Sequence, residues 1–263
     1  MTHQNRENRE QRRQDESMRI APVAHIHTDL PQKFGIPRQA GLVPELRGEI
    51  RFAPAYRQAE AVRGIEGFSH LWLIWGFSRN RRADRTDGVN RSLLVRPPRL
   101  GGREKVGVFA SRSPYRPNGL GLSSVRLLEV RYERTDADGE CREPVLLVDG
   151  VDLADGTPIY DIKPYLAYTD SHPQARDGFA AAHPWGRLRV DCPPQLLEKV
   201  PAAKRQTLLE LLALDPRGAY EKGENQVYGM AFAKFDVRFT VERGNMLKVL
   251  DIVENGAAAA RIK

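Results

Sequence analysis

Short apolar runs broken by glycine and proline follow one another from Met18 to about residue 168, and each has the length of a β-strand. The run at 68–77 (FSHLWLIWGF) is apolar enough to be a strand buried on both faces. Because no long helical pattern separates the runs, they favour a β-barrel or sandwich over a doubly wound sheet. We expect strands at 19–27, 48–52, 68–77, 106–110, 121–132, 144–148 and 158–162.

The pattern changes after Tyr168. Residues 169–190 are loose in composition and are interpreted as a linker. A leucine stripe predicts a helix at 202–214, which Asp215-Pro216 should end because proline cannot continue a helical ladder. Strict alternation then predicts a half-buried strand at 235–241, followed by a turn at 242–245 and a return strand to Ile252. The chain is therefore predicted to be mainly β, with a disordered tail (1–17), a β-barrel-like N-terminal domain (18–168), a linker (169–190) and a small α+β C-terminal domain (191–263).

Charge is concentrated in one segment. The 263 residues carry a formal net charge of +7, with 41% hydrophobic and 29% charged residues, which is typical of a globular protein. Residues 79–103 alone hold eight arginines against Asp84 and Asp87, which leaves +6 there. A solvated loop would account for many basic runs. Because the arginine fork binds phosphate oxygens in pairs, this density favours an anionic partner, most simply RNA or DNA.

Several classes of protein are disfavoured by what the sequence lacks. There is neither an apolar stretch of membrane-spanning length nor an apolar N-terminal signal, and only two cysteines occur, so we expect a cytoplasmic protein. The GxGxxG, GxxxxGK[ST], HExxH and GxSxG motifs are missing. His25 and His27 share one face of a predicted strand, but no third ligand accompanies them, so no metal site is predicted.

Three turn-rich segments combine rigid backbone with the polar groups that fix ligands. They are 34–41 (FGIPRQAG), 108–123 (VFASRSPYRPNGLGLS) and 150–165 (GVDLADGTPIYDIKPY). The third contains Asp152, Asp155, Asp161 and Lys163. Turn formation and solvated charges would account for each segment taken alone.

These segments, together with GIEGFSHLWLI (64–74) and VRPPRLGG (95–102), occur in an order that resembles the TsaA-like family of tRNA methyltransferases. The resemblance covers 18–168, and DPRGAYEKG (215–223) is similar to the family's C-terminal domain. It implies a β-barrel-like domain that binds S-adenosylmethionine (SAM) and works as a homodimer. The implied reaction is N6-methylation of threonylcarbamoyladenosine at position 37, next to the anticodon of tRNA.

The resemblance also implies which positions contact SAM. After the strand at 68–77 the family pattern has His-Gln where this chain has Ser78 and Arg79, so the chain departs from the pattern there. The positions that match the cofactor site are Gln39, Ala40, Gly41, Ser78, Arg79, Arg112, Leu122, Asp155, Gly156, Thr157 and Pro158.

Methyl transfer from a sulfonium mainly requires alignment, and a base that removes the N6 proton would help the acceptor nitrogen. Asp155 or Asp161 could be that base, although Asp155 could equally form only the Asp-Gly turn. Arg112 stays protonated and is interpreted as a binder of the SAM carboxylate or of phosphate. RNA binding is expected at Arg81, Arg82, Arg85 and Arg116. Two alternatives stay open: a non-catalytic SAM- or RNA-binding barrel, and a methyltransferase with another acceptor.

Overall fold

The structure is a computed structural model, and it describes residues 18–79, 93–134, 142–218, 223, 226–243 and 245–255. A closed barrel of six antiparallel strands in the order β1–β2–β7–β6–β3–β8 forms its N-terminal part. Alternate side chains point inward and make an apolar core, as expected for a small barrel. The strands are β1 (Ala24–Thr28), β2 (Arg47–Phe52), β3 (His70–Gly76), β6 (Leu120–Arg134), β7 (Arg142–Asp149) and β8 (Thr157–Pro164). The predicted mainly β fold with a β-barrel is confirmed.

Strand β3 differs from the prediction of burial on both faces. Its residues alternate between buried and half-buried, with Leu71, Leu73 and Trp75 inside the barrel. On the outer face the ring of Trp72 packs against Tyr165, and its Nε1 donates to Asp170 Oδ2 at 2.8 Å. The apolar run therefore reflects a barrel strand whose outer face is covered by a following segment, and the prediction of full burial is wrong.

Two short strands lie outside the barrel. They are β4 (Leu94–Val95) and β5 (Val106–Gly107), which among the described strands pair with each other alone. A strand is predicted through residue 110, but Val108–Ala110 forms a 3₁₀ turn. Phe109 is 76% exposed, so it does not pack against a strand of the barrel. The prediction of a strand is therefore wrong for residues 108–110. Other 3₁₀ turns lie at Pro54–Tyr56, Ala59–Val62, Ile65–Gly67 and Pro98–Leu100.

The C-terminal part is a four-stranded sheet with short helices. The sheet order is β10–β11–β12–β9, from β9 (Arg189–Asp191), β10 (Tyr228–Phe232), β11 (Phe235–Glu242) and β12 (Met246–Glu254). The helices are α1 (Ala167–Asp170), α2 (Phe179–Ala182), α3 (Pro194–Leu197) and α4 (Ala202–Ala213). The predicted helix at 202–214 and both predicted strands are present, whereas β9 and β10 are not predicted. Within the described part of the chain, every helix is too short or too polar to span a membrane.

The C-terminal sheet packs against the loop between β1 and β2. The rings of Phe34 and Phe239 stack with centroids 6.5 Å apart, and the Ala233 amide donates to the Asp29 carbonyl at 2.7 Å. Arg38 donates to the carbonyls of Leu214 and Asp215 at the end of α4, at 2.8 and 3.1 Å. The two parts thus share one apolar core, and the segment from Asp29 to Arg38 lies between them.

The strand directions place three long connections at one end of the barrel. Since neighbouring strands are antiparallel, the β1–β2, β3–β6 and β7–β8 connections all leave from the same end. These connections contain the segments 34–41, 108–119 and 150–156. The topology therefore collects the three turn-rich segments that the sequence singles out.

Candidate functional site

The three connections touch one another through specific hydrogen bonds. Arg112 donates to Gln39 Oε1, and the Gly41 amide donates to the Gly150 carbonyl at 2.8 Å. Gly41 and Gly150 have φ values of 79° and 71°, in the left-handed region that glycine adopts readily. A Cβ on Gly150 would lie 3.4 Å from the Gly41 Cα, which is ordinary van der Waals contact, so the left-handed backbone rather than the spacing of the two loops favours glycine here.

Beneath this contact lies a line of polar groups that enters the barrel. The Nε1 of Trp75 donates to Ser123 Oγ at 2.9 Å, and the Ser123 hydroxyl donates to Asp152 Oδ1 at 2.6 Å. The Ala40 amide also donates to the Asp152 carboxylate. Burial raises the pKa of the Asp152 carboxyl above its usual range, while these hydrogen bonds and the attraction of Arg112 oppose the rise. We call Ala40, Trp75, Ser123 and Asp152 the Asp152 cluster.

The 155–158 turn lies at the same end of the barrel, at the start of β8. Asp155 Oδ1 accepts the Thr28 amide at 3.1 Å and lies 3.3 Å from His27 Nδ1. Thr157 and Pro158 are buried, and the Thr157 hydroxyl donates to the Ala154 carbonyl at 2.7 Å. Asp155 is half-buried and Gly156 is exposed, so these two are the positions of the turn that a ligand could reach.

Arg79 connects this turn to the β1–β2 loop. Its guanidinium donates to the Pro31 carbonyl and to the Asp155 carbonyl, the latter at 2.7 Å. Ser78, the other residue at which the chain departs from the family pattern, is exposed beside it. Arg79 therefore fixes two site segments relative to each other through backbone contacts.

Leu122 and Asp161 occupy the outer face of the barrel. Both pair with Ile74, Leu122 from β6 and Asp161 from β8. Leu122 is 58% exposed, whereas its neighbour Ser123 is 3% exposed and faces inward. The structure thus brings Gln39, Ala40 and Gly41 together with Arg112, and it places Leu122 and Asp161 on the opposite face of the sheet from Ser123.

The arginines predicted to bind RNA are only partly described. Arg81, Arg82 and Arg85 lie outside the described residues. Arg116 Nη1 donates to the Ser111 carbonyl at 3.2 Å, which braces its own loop. Arg99 donates to the Ala180 carbonyl at 3.0 Å, and its Cζ lies 5.2 Å from the centroid of the Trp185 ring, over which the Arg38 Cζ lies at 3.8 Å.

A cleft of about 420 Å³ lies where the 155–158 turn faces the C-terminal sheet. One wall contains Thr28, Pro31 and Asp155, and the opposite wall contains Lys204 and Lys234. Lys204 pairs with Asp29, and Lys234 donates to Glu254 Oε1 at 2.5 Å. The cleft is thus lined by charges of both signs. Among the described residues no group of three or more His, Cys, Asp or Glu side chains could hold a metal ion.

Sequence reasoning assigns Ala40 to the cofactor site but gives no role in the site to Trp75, Ser123 or Asp152, the other members of the Asp152 cluster. Asp152 belongs to the third turn-rich segment but carries no motif of its own, and Trp75 is interpreted only as an apolar strand residue. The inward register of Ser123 could have been found from the alternation along β6, because residues on either side of it face outward. The contact between Ser123 and Asp152 depends on the barrel closing.

Comparisons with known proteins agree with this architecture. A family model described as the tRNA-methyltransferase O N-terminal domain matches residues 25–171, and one described as the TrmO C-terminal domain matches 186–255. The chain is 39% identical over 233 residues to a tRNA (adenine(37)-N6)-methyltransferase of Escherichia coli K12, covering 86% of this chain and 94% of that protein.

A curated relative and a solved structure from Pseudomonas aeruginosa are also similar. The relative, named as a putative S-adenosylmethionine-dependent methyltransferase, is 39% identical over 241 residues, covering 89% of this chain and 96% of the relative. The solved structure, a crystal structure of TrmO, superposes with a TM-score of 0.68 at 32% identity, covering 91% of this chain and 98% of that one.

Proposed function

The chain belongs to the tRNA-methyltransferase O family, and we propose that it transfers the methyl group of SAM to N6 of adenosine 37 in tRNA. The acceptor is the adenosine whose N6 already carries a threonylcarbamoyl group. The observation that carries the proposal is that both parts of the chain match the two domain models of one family. The relatives that are named for the adenine-37 reaction and for SAM dependence support the same assignment.

The reaction requires one bond exchange and the loss of one proton. The carbon–sulfur bond of the donor breaks as the N6–carbon bond forms, and the N6 proton leaves to a base. N6 is joined to adenine and to a carbonyl, so its lone pair is delocalised and removal of the proton raises its nucleophilicity. The sulfonium donor supplies its own leaving group. The protein's main task is therefore to align the two reactants and to receive the proton.

The residues at the barrel end fit the methyl donor. SAM carries a carboxylate, and the exposed guanidinium of Arg112 can bind it with paired hydrogen bonds. Gln39, Ala40 and Gly41 stand beside Arg112 and offer amide and backbone groups for the polar parts of the donor. Ser78, Arg79, Asp155 and Gly156 complete the proposed donor site at this end of the barrel. Leu122, on the outer face, and the buried Thr157 and Pro158 are included from the family resemblance alone.

Asp155 is the better placed of the two proposed bases. It lies at the loop-bearing end of the barrel and lines the 420 Å³ cleft. Asp161 lies six positions further along, on β8, where its Oδ1 accepts the amide of Ile162 at 2.9 Å. Asp161 is exposed on the outer face of β8, where it pairs with Ile74, and it does not lie in the loops at the barrel end.

Methyl transfer by the purified protein separates this proposal from a non-catalytic binding module. We expect labelled methyl from SAM to enter tRNA that carries threonylcarbamoyladenosine, and to spare tRNA with unmodified adenosine 37. A protein that gains thermal stability from SAM but transfers no methyl group would be a binding module. Label in unmodified tRNA would indicate a different acceptor.

The arginine segment is proposed to bind tRNA. Neutralising phosphates releases counterions, so log affinity falls as log salt rises, with a slope set by the number of contacts. Changing Arg81, Arg82 and Arg85 together to Gln should weaken tRNA binding and flatten that slope by up to about three contacts, with little change in SAM affinity. Filter binding across a salt series measures both quantities.

A matched control removes the same charge elsewhere. Arg176, Arg187 and Arg189 are exposed; the first two lie in the segment between the barrel and the C-terminal sheet, and Arg189 begins β9. Changing these three to Gln should leave the salt slope close to that of the wild type. If both triple variants flatten the salt slope by the same amount, the decrease reflects the loss of total charge rather than the loss of phosphate contacts by the arginine segment.

Two further properties are proposed from the family resemblance and the composition. We propose a homodimer and a cytoplasmic location, where a tRNA substrate is present. The location is proposed from the cysteine usage, because two cysteines in 263 residues suit a reducing compartment. The molar mass in solution, measured by light scattering, tests the dimer.

A further inference from the structure

We propose that Asp152 is the positioning residue of the methyl-donor site: its carboxylate anchors the Ala40 amide and Arg112, and so holds the Gln39–Gly41 loop in its binding arrangement. This inference rests on the proposed function, since it concerns the site assigned to SAM. Asp152 itself is not a catalytic residue here, because it acts through Ala40 and Arg112.

Three different connections and one strand converge on this carboxylate. The Ala40 amide reaches it from the β1–β2 loop, the Ser123 hydroxyl reaches it from β6 at 2.6 Å, and Arg112 attracts it from the β3–β6 connection. Asp152 itself belongs to the β7–β8 connection. No other described carboxylate joins all three loop-bearing connections. Its loss would remove their common contact and leave only the separate Arg112–Gln39 and Gly41–Gly150 hydrogen bonds between the loops.

The inner side of the cluster keeps the carboxylate in a single position. Ser123 is 3% exposed, and its oxygen accepts the Trp75 indole N–H at 2.9 Å, so its own hydrogen is directed to Asp152. The Trp75 ring is fixed in turn by Phe77, 4.4 Å away in an edge-to-face contact, and by Gly121, where any Cβ would collide with the indole. A buried, fully occupied hydrogen-bond line of this kind holds its terminal group firmly.

The charge of Asp152 matters as well as its position. Both Ala40 and Ser123 are donors, and a carboxylate can accept from both through its two oxygens. A protonated carboxyl would offer fewer acceptor sites and would no longer attract Arg112, which is the charged group that faces Asp152. Because the pKa of Asp152 is raised, its carboxylate is protonated at a higher pH than that of an ordinary aspartate, and we expect SAM affinity to fall as the pH is lowered.

The first test is Asp152→Asn, with SAM and S-adenosylhomocysteine affinity measured by calorimetry between pH 5 and pH 8. Asn has one acceptor oxygen for two donors and no charge, so we expect about ten- to a hundred-fold weaker binding of both ligands at neutral pH. The acid-dependent loss of affinity seen in the wild type should be absent.

Asp149→Asn is the matched control. Asp149 is also a shielded carboxylate, 4% exposed, and it ends β7 three residues earlier, but it pairs with Arg126 rather than with the donor loops. Its loss should lower thermal stability while leaving donor affinity and its pH profile unchanged. A purely structural role of Asp152 would make the two variants behave alike.

Ser123→Ala keeps the charge and tests the same idea if Asp152→Asn fails to fold. The Ser123 hydroxyl favours the charged form of Asp152, so its removal should raise the pKa further and move the midpoint of the affinity loss to higher pH. Superimposable wild-type and Ser123→Ala profiles would overturn the inference, as would Asp152→Asn affinity within two-fold of the wild type. A wild-type protein that binds neither ligand at any pH would instead overturn the proposed function itself.

Discussion

tRNA from cells that lack this chain is expected to lose N6-methylated threonylcarbamoyladenosine completely and to retain the unmethylated nucleoside. The methyl group is added to an N6 that already carries the threonylcarbamoyl group. Deletion therefore prevents only the final methylation, and the unmethylated nucleoside still forms. Nucleoside mass spectrometry of purified tRNA measures both species in one experiment. Their sum should equal that of the parent strain.

Complementation makes the experiment specific to this protein. The wild-type chain should restore the methylated nucleoside, and Asp155→Asn should restore less of it if Asp155 receives the N6 proton. Normal levels of the methylated nucleoside in the deletion strain, with no second enzyme present, would mean that the acceptor is wrongly assigned. Loss of both nucleosides would place the chain earlier, in formation of the threonylcarbamoyl group.

Arg112→Ala is expected to weaken SAM binding about ten- to a hundred-fold with little loss of stability. A charge-assisted hydrogen bond to a carboxylate contributes on the order of 1.5–3 kcal/mol, and 1.4 kcal/mol corresponds to a tenfold change in affinity. Arg112 is exposed and donates to the side chain of Gln39, so few contacts of the fold depend on it. Calorimetry gives the affinity, and thermal unfolding gives the stability.

Two further variants sharpen this prediction. Arg112→Lys keeps the charge but loses the planar fork, so it should recover only part of the affinity if the donor's carboxylate is held by paired hydrogen bonds. Arg176→Ala removes an exposed arginine outside the barrel and should bind SAM like the wild type. Unchanged SAM affinity in Arg112→Ala would remove this residue from the donor site and leave phosphate binding as its remaining role.

Local patterns in the sequence determine much of the architecture. Alternation predicts β11 because each side chain along a strand meets either core or solvent, and burial along Phe235–Glu242 alternates accordingly. The leucine stripe and Asp215-Pro216 predict α4 and its end for similarly local reasons. The ordered motifs identify the family, since a motif is a property of neighbouring residues.

Tertiary structure alone decides how the site is assembled. The three turn-rich segments are separated by up to about a hundred residues, and only the antiparallel order of the closed barrel brings Gln39, Arg112 and Asp152 to one end. β9 also escapes prediction, because three residues gain strand geometry only by pairing with distant β12. The raised pKa of Asp152 depends on burial, and burial is created by the fold rather than by the residues next to it in the chain.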